Sequence, residues 1–97
     1  MKKSSKYKDV IVTDDLLKKV KIALDKLPQE FCDERWKWVN VGLSLKTLGE
    51  DAFPLFDSWS SKSEKYDPED CQYVWETMMP KNITIGSLFY WSKIYGV

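Results

Sequence analysis

Histidine is absent from this chain of 97 residues. The commonest general base and the commonest metal ligand are therefore missing, and neither a Ser–His nor a Cys–His nucleophile can form. The four glycines stand apart, at positions 42, 49, 86 and 96, so the sequence has no glycine-rich phosphate loop. These absences argue against a self-sufficient enzyme, and we predict no catalytic residue, no metal site and no cofactor.

Cysteine and long apolar runs are also scarce. The two cysteines, Cys32 and Cys71, fit no metal-binding or redox spacing. No apolar segment approaches the roughly 20 residues that a membrane span needs, and the lysine-rich start is not followed by the apolar run of a signal peptide. We expect a cytoplasmic protein without membrane contact, in which both thiols are reduced and packed as small core groups.

Charge is balanced overall but not along the chain. Residues 1–26 hold eight lysines against four aspartates, a net charge of +4, whereas residues 27–97 hold seven basic and eleven acidic residues, a net charge of −4. We interpret residues 1–12 as a flexible basic tail, which is either a solubilising end or an arm that touches nucleic acid. Residues 13–97 are predicted to form one domain.

Helix signals dominate that domain. Apolar residues at helical spacing predict helices over 14–27, 34–48, 51–60, 68–78 and 85–95. Only residues 7–13 alternate like a strand, and a single strand has no partner. The predicted fold is therefore all-α, a compact single-domain bundle of about five short helices. The predicted N-caps are Thr13, Asp33, Asp51, Asp67 and Thr84.

The second predicted helix is apolar on two faces, which is typical of a central helix packed against several neighbours. Gly42 in its interior indicates that another helix approaches closely. Trp59 and Trp75 bracket a polar loop, and we expect these indoles to pack on each other or on the central helix as anchors of that loop. The residues predicted to form the structural core are Trp38, Trp59, Trp75 and Leu88.

The bracketed loop combines lysines, hydroxyls and a tyrosine. Lysines can neutralise phosphates, hydroxyls can donate to phosphate oxygens, and a tyrosine can stack on an unpaired base. Composition alone also fits an ordinary solvated loop between helices. The candidate binding residues in this loop are Ser60, Ser61, Lys62, Ser63, Lys65 and Tyr66.

Two segments of the chain resemble the second type of primase C-terminal domain. They are RWKWVNVGLSLKTLGEDAFPLFDSWSSKSEKYDPEDCQYVWETM and ITIGSLFYWSKIYG, and the resemblance spans roughly residues 16 to 96. The sequence departs from the family at Ser92, where alanine is usual, and in having a single arginine, Arg35. Part of the segment from Trp38 to Lys46 matches the family pattern. The other matching positions are Trp59, Ser60, Lys65, Tyr66 and Trp75, and the C-terminal motif, which runs from Ile83 and Thr84 through Leu88 to Ser92 and Lys93.

The resemblance implies a helical bundle found beside the catalytic domains of primase-polymerases and primase-helicases of viruses, phages and plasmids. There it helps to hold the template strand or the initiating nucleotide. We therefore expect a non-catalytic accessory factor of a DNA polymerase or primase-helicase on a separate chain, encoded on a mobile element. It would contact single-stranded DNA, a nucleotide triphosphate, or both, with Lys81 and Lys93 added to the loop residues.

A pure protein-interaction module is the alternative. In that case the domain docks a polymerase or helicase without touching nucleic acid, and outward-facing aromatic side chains form the hot spot. The candidate partner-binding residues are Trp36, Tyr73, Tyr90 and Trp91.

Overall fold

The computed structural model describes residues 12–79 and 82–96. These residues form six α-helices and one 3₁₀ turn, with no strand among them, so the all-α prediction is confirmed. The helices are α1 (Asp14–Lys26), α2 (Glu30–Asp33), α3 (Arg35–Lys46), α4 (Phe53–Ser60), α5 (Pro68–Thr77) and α6 (Ile85–Tyr95), and the 3₁₀ turn is Glu50–Ala52.

Three helices begin at the predicted caps. The Thr13 hydroxyl accepts a hydrogen bond from the backbone N–H of Leu16 at 3.1 Å, and the Asp67 carboxylate accepts one from Glu69 at 3.0 Å. At α6, Thr84 caps the helix and the Ser87 hydroxyl accepts in return from the Thr84 N–H at 3.3 Å. Each cap satisfies an amide that the helix itself leaves without a partner.

Two predicted caps are wrong. Asp33 belongs to α2, a short helix that the sequence did not predict, and α3 starts after Glu34 without a side-chain cap. Asp51 lies inside the 3₁₀ turn, and α4 starts after Ala52. Gly49 has a φ of 92°, a left-handed conformation that lets the chain turn into these three residues.

The N-terminal predictions fall largely outside the described residues. The predicted tail, residues 1–12, is described only at Val12, and the alternating segment 7–13 only at Val12 and Thr13. The tail therefore stays a prediction.

Helix α3 is central, as its two apolar faces predict. It packs against α2, α4, α5 and α6, while α1 lies on α6 and α4. A Cβ added at Gly42 would lie 2.8 Å from Met78 Cε and 2.9 Å from the Phe56 ring, so the predicted close approach at this glycine is present.

Aromatic rings fill the core beneath the loop. Trp38, Trp59, Trp75 and Leu88 are all buried. Phe56 is fully buried between two indoles, with its ring centroid 5.4 Å from Trp38 and 5.5 Å from Trp75. Both tryptophans that bracket the loop thus belong to the interior; Trp59 lies in the last turn of α4, next to the loop, and Trp75 lies in the last turn of α5.

Candidate nucleic-acid interface

The loop between α4 and α5 is a series of tight turns. The backbone N–H groups of Lys62, Ser63 and Tyr66 donate to the carbonyls three residues earlier, at 3.2, 3.0 and 3.1 Å. Gln29 Nε2, on the neighbouring segment before α2, donates to the Lys62 carbonyl at 3.1 Å. The loop therefore has a defined shape without a ligand.

Two of the predicted binding hydroxyls hold this shape and face inward. Ser60 is 2% exposed; its Oγ accepts from Trp38 Nε1 at 2.7 Å and donates to the Phe56 carbonyl at 2.6 Å. Ser63 is 7% exposed, and its Oγ accepts from the Lys65 N–H at 3.1 Å. Both hydroxyls are thus largely buried and hydrogen-bonded within the protein, and both residues line the pocket under the loop. Their contact with a ligand stays a prediction.

Ser61 differs from its two neighbours because it is exposed. Its hydroxyl donates to the Ser58 carbonyl at 2.6 Å. The O–H can donate to a phosphate oxygen if it leaves this carbonyl, so Ser61 stays a candidate contact.

The two loop lysines are exposed and reach toward α1 and α2. Lys62 Nζ lies 3.1 Å from Asp25 Oδ1, and Lys65 Nζ donates to the Asp33 carbonyl at 3.1 Å. Exposed contacts of this kind contribute only about 0–1 kcal/mol. They hold the ammonium groups in place, yet a phosphate can replace them at small cost.

Tyr66 is half-buried and points at a carboxylate. Its hydroxyl donates to Asp57 Oδ1 at 2.6 Å. This hydrogen bond, together with desolvation, raises the pKa of Tyr66 to about 12. The phenol therefore stays neutral at physiological pH, and its hydrogen bond to Asp57 fixes its orientation.

Arg35 is a cation of this surface that the sequence-based site did not include. A pocket of about 60 Å³ under the loop is lined by Arg35, Lys65 and Tyr66, together with Trp38, Asp67 and Asp70. The guanidinium makes two contacts with Asp70, Nη1 to Oδ2 at 3.0 Å and Nη2 to Oδ1 at 3.4 Å, and this hydrogen bonding raises the pKa of Arg35. The sequence feature that could have pointed to Arg35 is that it is the single arginine of the chain.

Two further lysines, Lys81 and Lys93, were predicted to contact a ligand. Lys81 falls outside the described residues. Lys93 is exposed in the last turn of α6 and is not among the described residues that line the pocket. The structure therefore brings Arg35, Lys65 and Tyr66 together at one pocket, whereas Lys62 in the same loop pairs with Asp25. The role of the loop residues as nucleic-acid contacts stays a prediction.

The predicted partner-binding aromatics lie on three helices. Trp36 on α3, Tyr73 on α5 and Tyr90 on α6 are 77%, 65% and 62% exposed. Trp91 is half-buried, with its ring centroid 6.5 Å from that of Phe31. Trp36 and Trp91 each line a concavity that Asn40 also lines, whereas Tyr73 and Tyr90 line neither of these two concavities.

Comparison with known protein families identifies the fold unit. The family model described as Primase C terminal 2 (PriCT-2) matches residues 20–92. The chain belongs to the PriCT-2 family. The motif resemblance predicted this family, and that prediction is confirmed.

Its relatives are large viral proteins. The domain is 41% identical over 69 residues to "Putative helicase 121R" of Invertebrate iridescent virus 3, which covers 68% of this chain and 7% of the relative. It is 35% identical over 78 residues to the similarly named 022R of Frog virus 3 (isolate Goorha), covering 76% of this chain and 8% of the relative. The chain thus spans less than a tenth of the curated relatives it matches. No solved structure matches it.

None of the helices that residues 12–79 and 82–96 of this PriCT-2 domain form is long and apolar enough to cross a bilayer.

Proposed function

We propose that this PriCT-2 domain is a non-catalytic accessory module that contacts the phosphates of a single-stranded template, or of an initiating nucleotide, while a primase or helicase acts on that strand. One observation carries the proposal: Arg35 and Lys65, which are far apart in sequence, line one pocket, and Lys62 belongs to the same ordered loop as Lys65. The domain itself is proposed to perform no chemical step and to work in the cytoplasm.

Pre-ordering of the loop favours binding. A flexible loop loses part of its binding free energy when it becomes ordered around a ligand. Here the backbone turns, the Gln29 contact and the buried serines already hold the loop in shape. Phosphate oxygens would exchange with the carboxylate and carbonyl partners of the three cations, which are mostly exposed contacts.

Affinity is expected to be weak for the domain alone. The net charge of the chain is zero, and each cation of the surface already has an acidic or carbonyl partner. If three phosphates are contacted, the logarithm of the binding constant should fall with the logarithm of salt concentration with a slope of about −2. A second chain that holds the same strand would raise the overall affinity.

The decisive experiment reverses the two loop charges. Lys62→Glu with Lys65→Glu should weaken binding of a labelled single strand, measured by fluorescence anisotropy, by about tenfold or more, and should reduce the salt slope by about 1.4. The matched control is Lys18→Glu with Lys19→Glu on the outer side of α1, which makes the same change of net charge. Equal losses in the two double variants, or a wild-type slope near zero, would contradict the phosphate contacts.

Docking of a polymerase or helicase is the second candidate function. It is supported by Tyr90 and Ile94, which are both exposed and lie four residues apart on one face of α6. Tyrosine is among the residues enriched at protein interfaces. Under this function the lysine variants leave the complex with the polymerase or helicase intact, whereas Tyr90→Ala disrupts it. Co-purification with that partner protein measures the difference.

A further inference from the structure

The first turn of α3 borders three separate concavities. Arg35 lines the pocket under the loop, Trp36 lines a groove, and Lys37 lines a second hollow. Successive residues of an α-helix point about 100° apart, since one turn takes 3.6 residues. The first turn of α3 therefore lies between the pocket under the loop, the groove and the second hollow.

The groove has an aromatic wall and a polar mouth. Its volume is about 430 Å³, within the ordinary range of ligand sites. Trp36 is the most exposed large hydrophobic residue among those described, at 77%. Its apolar lining includes Val39, Leu43 and Met78, and two amide side chains, Asn40 and Asn82, also line it.

The second hollow continues the groove across Asn40. It is about 200 Å³ in volume, and Asn40 lines both concavities. Its walls are Phe31, Trp91 and Tyr95, and its cation is Lys37. Carboxylates of Glu30 and Glu34 hydrogen-bond the Lys37 ammonium and raise its pKa, so this group is cationic throughout the physiological range.

We propose that this strip, made of Trp36, Lys37, Asn40, Trp91 and Tyr95, binds two unpaired bases of the single strand whose phosphates lie on the loop. This inference rests on the proposed function and deepens it. Bases stack on indole and phenol faces irrespective of sequence. The Asn40 amide can donate to and accept from a base edge, and Lys37 can meet the phosphate between the two bases.

An unpaired base suits this strip better than an apolar helix of another protein. A helix that filled the groove with aliphatic side chains would cover Asn40 and Asn82 and leave their amides without partners, which costs about 1–3 kcal/mol for each buried group. Continuity with the loop through Arg35 also places both sites within reach of one strand, because an α-helix is only about 10–12 Å across.

The test compares two strands that carry the same phosphates. One is an oligothymidylate about 12 nucleotides long, and the other is an abasic strand of equal length. Trp36→Ala should weaken binding of the oligothymidylate by about 5- to 150-fold, which is the worth of one stacked base, and should leave binding of the abasic strand unchanged. Trp36→Phe should restore most of the affinity. Ile22→Ala, at a residue that is 57% exposed on α1, is the matched control and should change neither.

The outcomes separate this inference from the proposed function. If Trp36→Ala leaves oligothymidylate binding unchanged while the Lys62 and Lys65 double variant loses both strands, the base-stacking strip is wrong and the phosphate contacts stand. If Trp36→Ala weakens both strands equally, or disrupts only a complex with a replication protein, stacking is likewise overturned. If Trp36→Ala behaves as expected but the lysine variant does not, the strip stands and the loop contacts fall.

Discussion

Several side chains around the loop are buried, and they hold the exposed loop residues in position. Trp38 reaches across the core to hold the Ser60 hydroxyl, and the Cys32 thiol lies 3.3 Å from the Trp59 carbonyl. Burial raises the pKa of Cys32 and of Cys71 to about 11, so both thiols are neutral at physiological pH. The residues that contact solvent at this site are few, and their geometry depends on buried neighbours.

The Tyr66–Asp57 hydrogen bond gives a prediction at the scale of a residue. Because the Asp57 carboxylate favours the neutral phenol, the pKa of Tyr66 is about 12 instead of the ordinary 10. The stabilisation of the fold by this bond is fully present below pH 10 and is lost as pH rises toward 12. An ultraviolet-absorbance titration of tyrosinate, taken as the difference between wild type and Tyr66→Phe, should show that pKa.

Asp57→Asn is the matched change on the acceptor side. It keeps the shape of the side chain and removes its charge, so the pKa of Tyr66 should fall back toward 10. A value near 10 already in the wild type would mean that the phenol does not bond Asp57 in solution.

Among the elements, α3 decides the arrangement because four other helices pack on it. The sequence indicates this through its two apolar faces, and it locates α1, α5 and α6 through their caps. It misses α2 and the 3₁₀ turn because elements of three or four residues have no apolar period to detect. Their presence moves the starts of α3 and α4, which explains the two wrong caps.

Gly42 provides a prediction at the scale of the element. Alanine improves helix propensity by up to about 1 kcal/mol. At this position, however, its Cβ would press on the fully buried Phe56 ring at 2.9 Å, and overpacking typically costs about 1–3 kcal/mol. We expect Gly42→Ala to lower the free energy of unfolding by about 1 kcal/mol, measured by urea denaturation.

Gly86→Ala is the control, because a Cβ there meets only the Thr84 hydroxyl at 3.4 Å. It should be neutral or stabilising. A Gly42→Ala variant as stable as Gly86→Ala would show that α4 and Met78 yield to the added methyl group without cost.

For the whole molecule, we expect the strength of phosphate binding to depend more on ion pairs between helices than on the net charge. Lys62 and Asp25 lie 37 residues apart, and their contact joins the loop to α1. Arg35 and Asp70 likewise join α3 to α5. These pairs neutralise the surface that we propose for phosphate, so the binding strength depends on how readily each cation leaves its partner.

Asp25→Asn tests this competition. Removing the carboxylate frees Lys62 for phosphate, so affinity for the single strand should rise a fewfold and the salt dependence should steepen. Stability should change by less than about 1 kcal/mol, since the pair is exposed. Asp15→Asn, which removes the exposed partner of Lys19 within α1, makes the same charge change and is the control. Equal affinities of the two variants would show that Lys62 is not a phosphate contact.

The sequence by itself determined the helical class, three helix starts, the central position of α3 and the family, because caps, apolar periods and motif spacings are local features of the chain. Only the tertiary structure decided that Ser60 and Ser63 are interior and that Arg35 belongs with Lys65. It also decided that Trp36 borders a groove beside Asn82. Burial and partner choice depend on contacts between residues far apart in the chain, such as Trp38 and Ser60, which are 22 positions apart, and the order of the amino acids does not encode such contacts directly.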